Sequence, residues 1–553
     1  MRIIGENARR DDGLRSLMER TASRDMREKP SFSETWLMPP GLGEEVESYR
    51  IPGARVSIRN SADGQIDYVL IPDEYRLDDR RSKRLRDAIA HISLRPPPPR
   101  TASDKSYVES LARESLTETG RFNAREAAMT MEDEDFICSM AVRYTSGYGL
   151  LETLLQDGRV EDVFIDAPCD RNRVHVTVNG ISGFNSVVRC RTNLLLERLE
   201  MEHLVSRISR HSGLPFSEAH PILECDMGLL GTRATVVGMP LSPAGTALAL
   251  RRRSQRPWTL PSLVRNGTMG PSTAALLSLM VDGGSTLLIC GPKGSGKSSL
   301  LSACMFEFPL SQRILALEDT QELPVEAMQE LGYKVQSILA DDRNGRAVER
   351  SREALRLSLR MGEAALVMGE VRGEEAAMLY EAMRTGRSGS TVMGTIHGDS
   401  AASVYDRVVH DIGVSPEAFM ATDAVVSLEL IRPRGSQRMR RGVKDISETG
   451  LEPGEFEKLM TDGGWSDDLE ESRTVRRIAD SWGMTTKEVM SNLDSRRLIL
   501  AHLQASQDER ASSPRWAREV SEHVASAMAS GPIDPSAVCD AFAVLYGRRS
   551  VGD

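Results

Sequence analysis

Eight consecutive residues, Gly291-Pro292-Lys293-Gly294-Ser295-Gly296-Lys297-Ser298, have types and spacing suited to chemistry on phosphate. They fit GxxxxGK[ST], in which the glycines let backbone N–H groups turn inward around phosphate oxygens. The apolar run TLLIC at residues 286–290 precedes them, and from Ser298 and Ser299 onward the chain reads as a helix. That strand–turn–helix context is the one the pattern requires, and the helix N-terminus adds the positive end of its dipole. In such a loop Lys297 reaches the β- and γ-phosphates, and the Ser298 hydroxyl ligates Mg²⁺. ATP and Mg²⁺ are the expected ligands.

A phosphate loop alone does not separate kinase, GTPase and motor. Three further segments narrow the choice. RILALEDTQE, at 313–322, places Glu318, Asp319 and Glu322 just past an apolar strand. Carboxylates at the C-terminal edge of a parallel sheet lie near the phosphate site by topology. ALVMGE, at 365–370, is another apolar strand, and it ends in Glu370, an acid positioned to orient or deprotonate an attacking water. TGRSGST, at 385–391, leads into a strand ending in Gly394-Thr395-Ile396-His397, with a lone imidazole at its tip. Taken singly, each acid or imidazole is more simply a solvated strand end; their succession after one phosphate loop makes a site.

The elements needed to hold these residues are legible in outline. Between 257 and 450, apolar strands (TLLIC, RILALED, ALVMG, TVMGTIH, AVVSLELI) alternate with helices, which means a parallel sheet buried on both faces and an α/β fold. Residues 126–256 read as a mixed α+β domain, and 45–95 as a small α+β segment. The four prolines at 96–99 open a linker expected over 96–125. Residues 1–44 read as a loose tail and 451–553 as a helical tail without strands. Within that tail, residues 475–489 scan like helix-turn-helix. Acidic flanks argue against reading of bases, and nucleic acid is not an expected partner.

Composition sets the outer limits. The chain has 553 residues, 40% hydrophobic and 27% charged, so two to four soluble domains are expected. Its 70 Lys+Arg against 80 Asp+Glu leave a net charge of −10, which carries no polyanion-binding signature. Seven cysteines form no CxxC pair and no zinc spacing. No run reaches the roughly 18 apolar residues of a membrane span, and the chain reads as cytoplasmic.

The four segments resemble the Walker A, aspartate-box, Walker B and histidine-box motifs of the secretion-ATPase superfamily, with GEVRGEEA at 369–376 and TIH at 395–397 as its marks. The family drives type II and type IV secretion, type IV pili, Tad pili and archaella. GYGLLETLLQDGRVEDVFID resembles the segment preceding the family's first domain, and TNLLLERLEMEHLVSRI, SEAHPILECDMGLLGTRATVV and TALALRRRSQRPWTL resemble the rest of its N-terminal half, so the likeness runs from about 145 to 450. The pattern looks most like archaeal pilus, archaellum and Tad-type motors. The resemblance implies a C-terminal RecA-like domain behind an α+β N-terminal domain, and a homo-oligomer, most simply a hexamer. It also implies a polytopic membrane platform protein as partner and pilin-like subunits moved through it. By the same resemblance Glu370 is the catalytic glutamate, Glu318, Asp319 and Glu322 form the aspartate box, with Glu318 beside Ser298 at Mg²⁺, and His397 sits near the γ-phosphate. Arg233 and Arg251 match N-terminal-domain arginines that approach nucleotide.

Two departures stand out. The family's Asp six residues before the catalytic glutamate falls on Ala364, and the His of its TGH is Arg387. On sequence grounds, restoring Asp at 364 should leave turnover unchanged or raise it modestly. Two competing readings remain open at this level: a nucleic-acid-translocating RecA-like motor, and an ATP-binding regulatory paralogue with scant hydrolysis.

Overall fold

A computed structural model of the chain describes residues 29–41, 43–95, 105–122, 130–182, 184, 187–228, 231–252, 257–318, 321–339, 364–371, 391–432, 439–461, 464–529, 531 and 534–550, with six isolated positions between 353 and 380. Two compact units divide it, Met1–Gln255 and Arg256–Asp553.

The first unit is built on strands β1 (Thr35–Leu37), β2 (Gly43–Ile51), β3 (Ala54–Ser61), β4 (Ile66–Pro72), β5 (Val160–Ile165), β6 (His175–Val178), β7 (Val188–Thr192), β8 (Leu194–Leu196), β9 (Ile222–Asp226), β10 (Thr232–Val237) and β11 (Ala247–Arg252). Nine of them form one sheet in the order β2-β3-β4-β7-β6-β5-β11-β10-β9. The segment 45–95 is therefore not separate: β4 pairs in parallel with β7 and carries β2 and β3 onto the same sheet. Helices Leu150–Gln156 and Arg198–Ser212 cover it, burying Leu151, Leu154, Leu204 and Ile208 against Val56, Val163, Val176 and Leu250.

The expected linker also needs correction. Helix Lys105–Phe122 lies within it and packs between helices Asp79–Leu94 and Met131–Thr145. Val108, Leu111 and Ala112 join Leu85, Ala88, Ile92, Ile137, Cys138 and Ala141 in one core, each set at helical spacing. The prolines stop one helix, but the apolar period resumes beyond them. Nor are residues 29–41 loose: β1 pairs with β8, and Trp36 Nε1 donates to Glu197 at 2.7 Å.

The second unit holds β12 (Leu287–Cys290), β13 (Arg313–Glu318), β14 (Lys334–Leu339), β15 (Ala365–Met368), β16 (Val392–Ile396), β17 (Ala424–Ile431), β18 (Arg440–Thr449), β19 (Phe456–Thr461) and β20 (Gly464–Trp465), ordered β14-β13-β15-β16-β12-β17-β18-β19-β20. From β14 to β17 every pairing is parallel; β17 to β20 run antiparallel. The strand-free tail beyond 450 is thus overturned by β19 and β20. FEKLMT carries charges because an antiparallel strand near the end of the sheet keeps one face in water.

The C-terminal helices are not an appendage either. Helix Thr486–Ala505 buries Val489, Leu493 and Leu500 in the same core as Leu276 and Leu279 of helix Pro271–Asp282. The helix-turn-helix pattern is real as a hairpin, with Gly483 left-handed at φ 66° and Thr485 capping with Glu488. Its second helix is buried against the core of the second unit, so that face is closed to a DNA groove. Among the described residues no helix is long and apolar enough to cross a membrane.

Candidate active site

The phosphate loop leaves β12 near the middle of the sheet, between parallel neighbours β16 and β17. Glycine is required where the loop starts: a Cβ on Gly291 would stand 2.6 Å from Ser295 Oγ and 2.9 Å from Leu428 Cβ. Gly296, left-handed at φ 96°, opens helix Lys297–Met305 and aims its first N–H groups into the loop. Lys293 and Gly294 are exposed at the crest; Pro292, Lys297, Ser298 and Ser299 are half-buried.

Two features show that the loop fits an anion. Lys297 folds back on it, Nζ donating to the carbonyls of Gly291 (2.8 Å) and Pro292 (3.1 Å). Burial holds its ammonium below the usual lysine range, while nearby Glu370 pulls the other way. Ser295 is buried and its Oγ has no hydrogen-bond partner among the described residues, a group a phosphate oxygen would satisfy.

The adjoining sheet edge carries the acid and the imidazole. Gly369 N donates to Leu317 O (2.8 Å), Thr395 Oγ1 donates to Gly369 O (2.6 Å), and Val371 N donates to Thr395 O (2.7 Å). The backbone on both sides of Glu370 is thereby fixed between β13 and β16. In that setting Glu370 Oε1 lies 3.3 Å from His397 Nε2, both side chains partly exposed. The sequence-expected Glu370 and His397 do come together, at the edge to which Lys297 is electrostatically coupled.

Glu318 ends β13, the place expected for it. It is buried, and Oε2 accepts from the backbone N–H groups of Glu322 (2.7 Å) and Leu323 (3.0 Å). That oxygen ties the end of β13 to the segment that follows, with Oε1 buried beside it. Glu322 is exposed. Asp319, Glu363 and Arg387 lie outside the described residues. Ala364 is 5% exposed within an apolar cluster with Leu315, Leu317 and Leu366.

Arg233 and Arg251 belong to the first unit, directly opposite each other on β10 and β11. Facing like charges destabilise a strand pair unless carboxylates intervene. Arg233 has Glu224 at 3.3 Å, and Arg251 faces Asp162 across the β11–β5 pair.

Two residues escaped sequence reading. Thr395 stands two before His397, on the same side of the strand, and that period-two relation was a usable signal. Arg441 of β18 donates from Nε to the Gly294 carbonyl at 2.9 Å. Only the tertiary fold brings it to the loop.

The family described as Type II/IV secretion system protein matches residues 187–491, more than half of the chain. An uncharacterized protein of Methanocaldococcus jannaschii is 27% identical over 332 residues, 58% of this chain and 43% of that protein. The type IV secretion system protein PtlH of Bordetella pertussis is 30% identical over 180 residues, 29% of this chain and 52% of PtlH. The chain spans less than half the length of the first two curated relatives it matches, 43% and 46%. Among solved structures, the Legionella pneumophila ATPase DotB aligns over 65% of this chain and 92% of its own, at 16% identity and a TM-score of 0.39. The VirB11 ATPase of the Brucella suis type IV secretion system, in complex with sulphate, aligns over 54% and 92%, at 18% identity and a TM-score of 0.27.

Proposed function

The chain belongs to the type II/IV secretion system protein family, and from that premise we propose that it is an ATP-hydrolysing motor that assembles as a ring and drives a filament or secreted protein through a membrane platform. The observation that carries the reading is the pairing of Glu370 with His397 at 3.3 Å, beside a loop that folds its own lysine inward. Entry of a polyphosphate would draw Lys297 Nζ from the Gly291 and Pro292 carbonyls onto the β- and γ-phosphate oxygens. Glu370 would take the proton of the attacking water. His397, through Nε2, would hold that carboxylate in place. The Ser298 hydroxyl is the group suited to Mg²⁺, which would supply charge neutralisation on the phosphates.

In the motor reading, hydrolysis alters the arrangement of subunits in the ring, and a polytopic platform protein receives the movement. Pilin-like subunits, extracted from or pushed into a filament, are the cargo by analogy with pilus, archaellum and secretion motors. The site of action is the cytoplasmic face of the membrane, with attachment through the platform. The nucleic-acid motor is disfavoured by the burial of helix Thr486–Ala505 and by the net charge of −10.

Phosphate release and nucleotide binding, measured together, test the proposal. Lys297→Ala is expected to abolish hydrolysis. Glu370→Gln should bind ATP as the wild type does and lose at least about 100-fold in turnover, the scale of general-base contributions. Normal turnover in Glu370→Gln would remove Glu370 from the role of base.

A further inference from the structure

Arg441 is not part of any phosphate-loop motif, yet it sits on the loop. It lies on β18, and the register sets it opposite Leu430 of β17. The preceding stretch of β17 supplies Leu428, whose Cβ and carbonyl wall the start of the loop at Gly291. Strands β17 and β18 thus form the flank of the phosphate loop away from Glu370 and His397. From that flank Arg441 Nε donates to the Gly294 carbonyl, and its Cδ lies 3.9 Å from where a Cβ on Gly296 would be.

Among the described residues no carboxylate is ion-paired with Arg441, and its two Nη groups make no hydrogen bond. Glu429, opposite Gly442 in the register, has its Oε1 3.4 Å from where a Cβ on Gly442 would be. A half-buried arginine anchored through Nε, with no counter-ion among the described residues and beside a loop shaped for phosphate, is arranged to meet an anion.

We propose that Arg441 is a nucleotide-binding residue: tethered to the crest of the loop through Nε, it presents a permanent charge and two Nη donors to the polyphosphate of the bound nucleotide. The proposal rests on the reading of the Gly291–Ser298 loop as a nucleotide site. It adds a cationic contact from the β17–β18 flank, opposite the acidic edge, so that the phosphates are gripped from two sides. Because the residue lies far from Glu370, its effect falls on affinity rather than on the chemical step.

The test is a fluorescence titration of the full chain with a labelled ATP, for wild type, Arg441→Gln and Arg441→Lys, at two salt concentrations. Wild type binds. Arg441→Gln, whose amide can still donate to the Gly294 carbonyl, should bind about 10- to 100-fold more weakly, the range for charged hydrogen bonds. Arg441→Lys should recover part of the loss, and the difference between wild type and Arg441→Gln should shrink as salt rises. Equal affinity of Arg441→Gln and wild type overturns the proposal, since Arg441 then only supports the loop. A deficit in both variants that salt does not change overturns it too, by the same reasoning. A wild-type chain that binds no nucleotide overturns the nucleotide reading itself. Melting temperatures without nucleotide, expected to agree among the three, separate lost contact from lost fold.

Discussion

At the scale of single residues, the acidic edge depends on a hydroxyl that reacts with nothing. Thr395 Oγ1 fixes the Gly369 carbonyl, and the Thr395 carbonyl receives Val371 N, so Glu370 is held from both sides. Thr395→Val keeps shape and removes the donor. It should lower kcat by about 10-fold, the price of losing one hydrogen bond that orients a reacting group, while nucleotide affinity measured by titration stays within about twofold. An equal loss in affinity would show that the whole site had moved. Ala364 leads to a prediction opposite to the one its sequence position invites. It is buried among Leu315, Leu317 and Leu366, so Ala364→Asp places a carboxylate in apolar surroundings. Destabilisation of at least about 2 kcal/mol is expected, read as a lower melting temperature, with loss of activity following loss of fold.

Between elements, the phosphate-loop helix is joined to the C-terminal helices by a buried polar cluster. Glu307, just beyond helix Lys297–Met305, accepts from Ser278 Oγ (2.6 Å) and Ser521 Oγ (2.9 Å). Arg496, wholly buried, donates to both hydroxyls and to Asn492 Oδ1, and pairs with Asp282. Burial pushes the Glu307 carboxyl up from its ordinary 4.5 to about 7. The folded chain therefore retains a proton that the unfolded chain releases between those two values, so stability falls as pH rises through that window. Glu307→Gln should flatten the pH dependence of the melting temperature between pH 5 and 7, removing a change on the order of 3 kcal/mol. An unaltered pH profile in the variant would place the titration elsewhere. The cluster also explains why residues 473–550 are not the tail that the sequence suggests: its partners come from four separate stretches of sequence.

For the whole molecule the prediction concerns assembly. The loop offers Lys297 to one side of a polyphosphate, and ring motors complete such sites with arginines from another surface. Arg233 and Arg251, side by side on β10 and β11, are the pair the family likeness selects. Specific ATPase activity should rise with protein concentration as rings form. Arg233→Ala or Arg251→Ala should lower turnover at least about 10-fold and leave nucleotide affinity nearly intact. Constant activity per chain across dilution, with both variants fully active, would end the ring mechanism.

What the sequence settled by itself is local chemistry. GPKGSGKS between an apolar strand and a helix has one good physical use, and Glu370 and His397 could be placed at strand ends because buried parallel strands are continuous apolar runs. The α/β character followed from the same runs. Tertiary structure decided what depends on pairing partners. β2 to β4 look self-sufficient until β4 meets β7; FEKLMT looks like loop until β18 supplies its neighbour; the helix after the prolines looks like linker until Leu85 and Ile137 give it a core. Glu318 and Arg441 make the point for side chains. One is an acid with a carboxylate oxygen that accepts from backbone N–H groups four and five residues on, the other an arginine brought to the phosphate loop from 147 residues away. Residue type fixes what a group can do; which partner it meets is set by strand order, and strand order is a property of the folded chain.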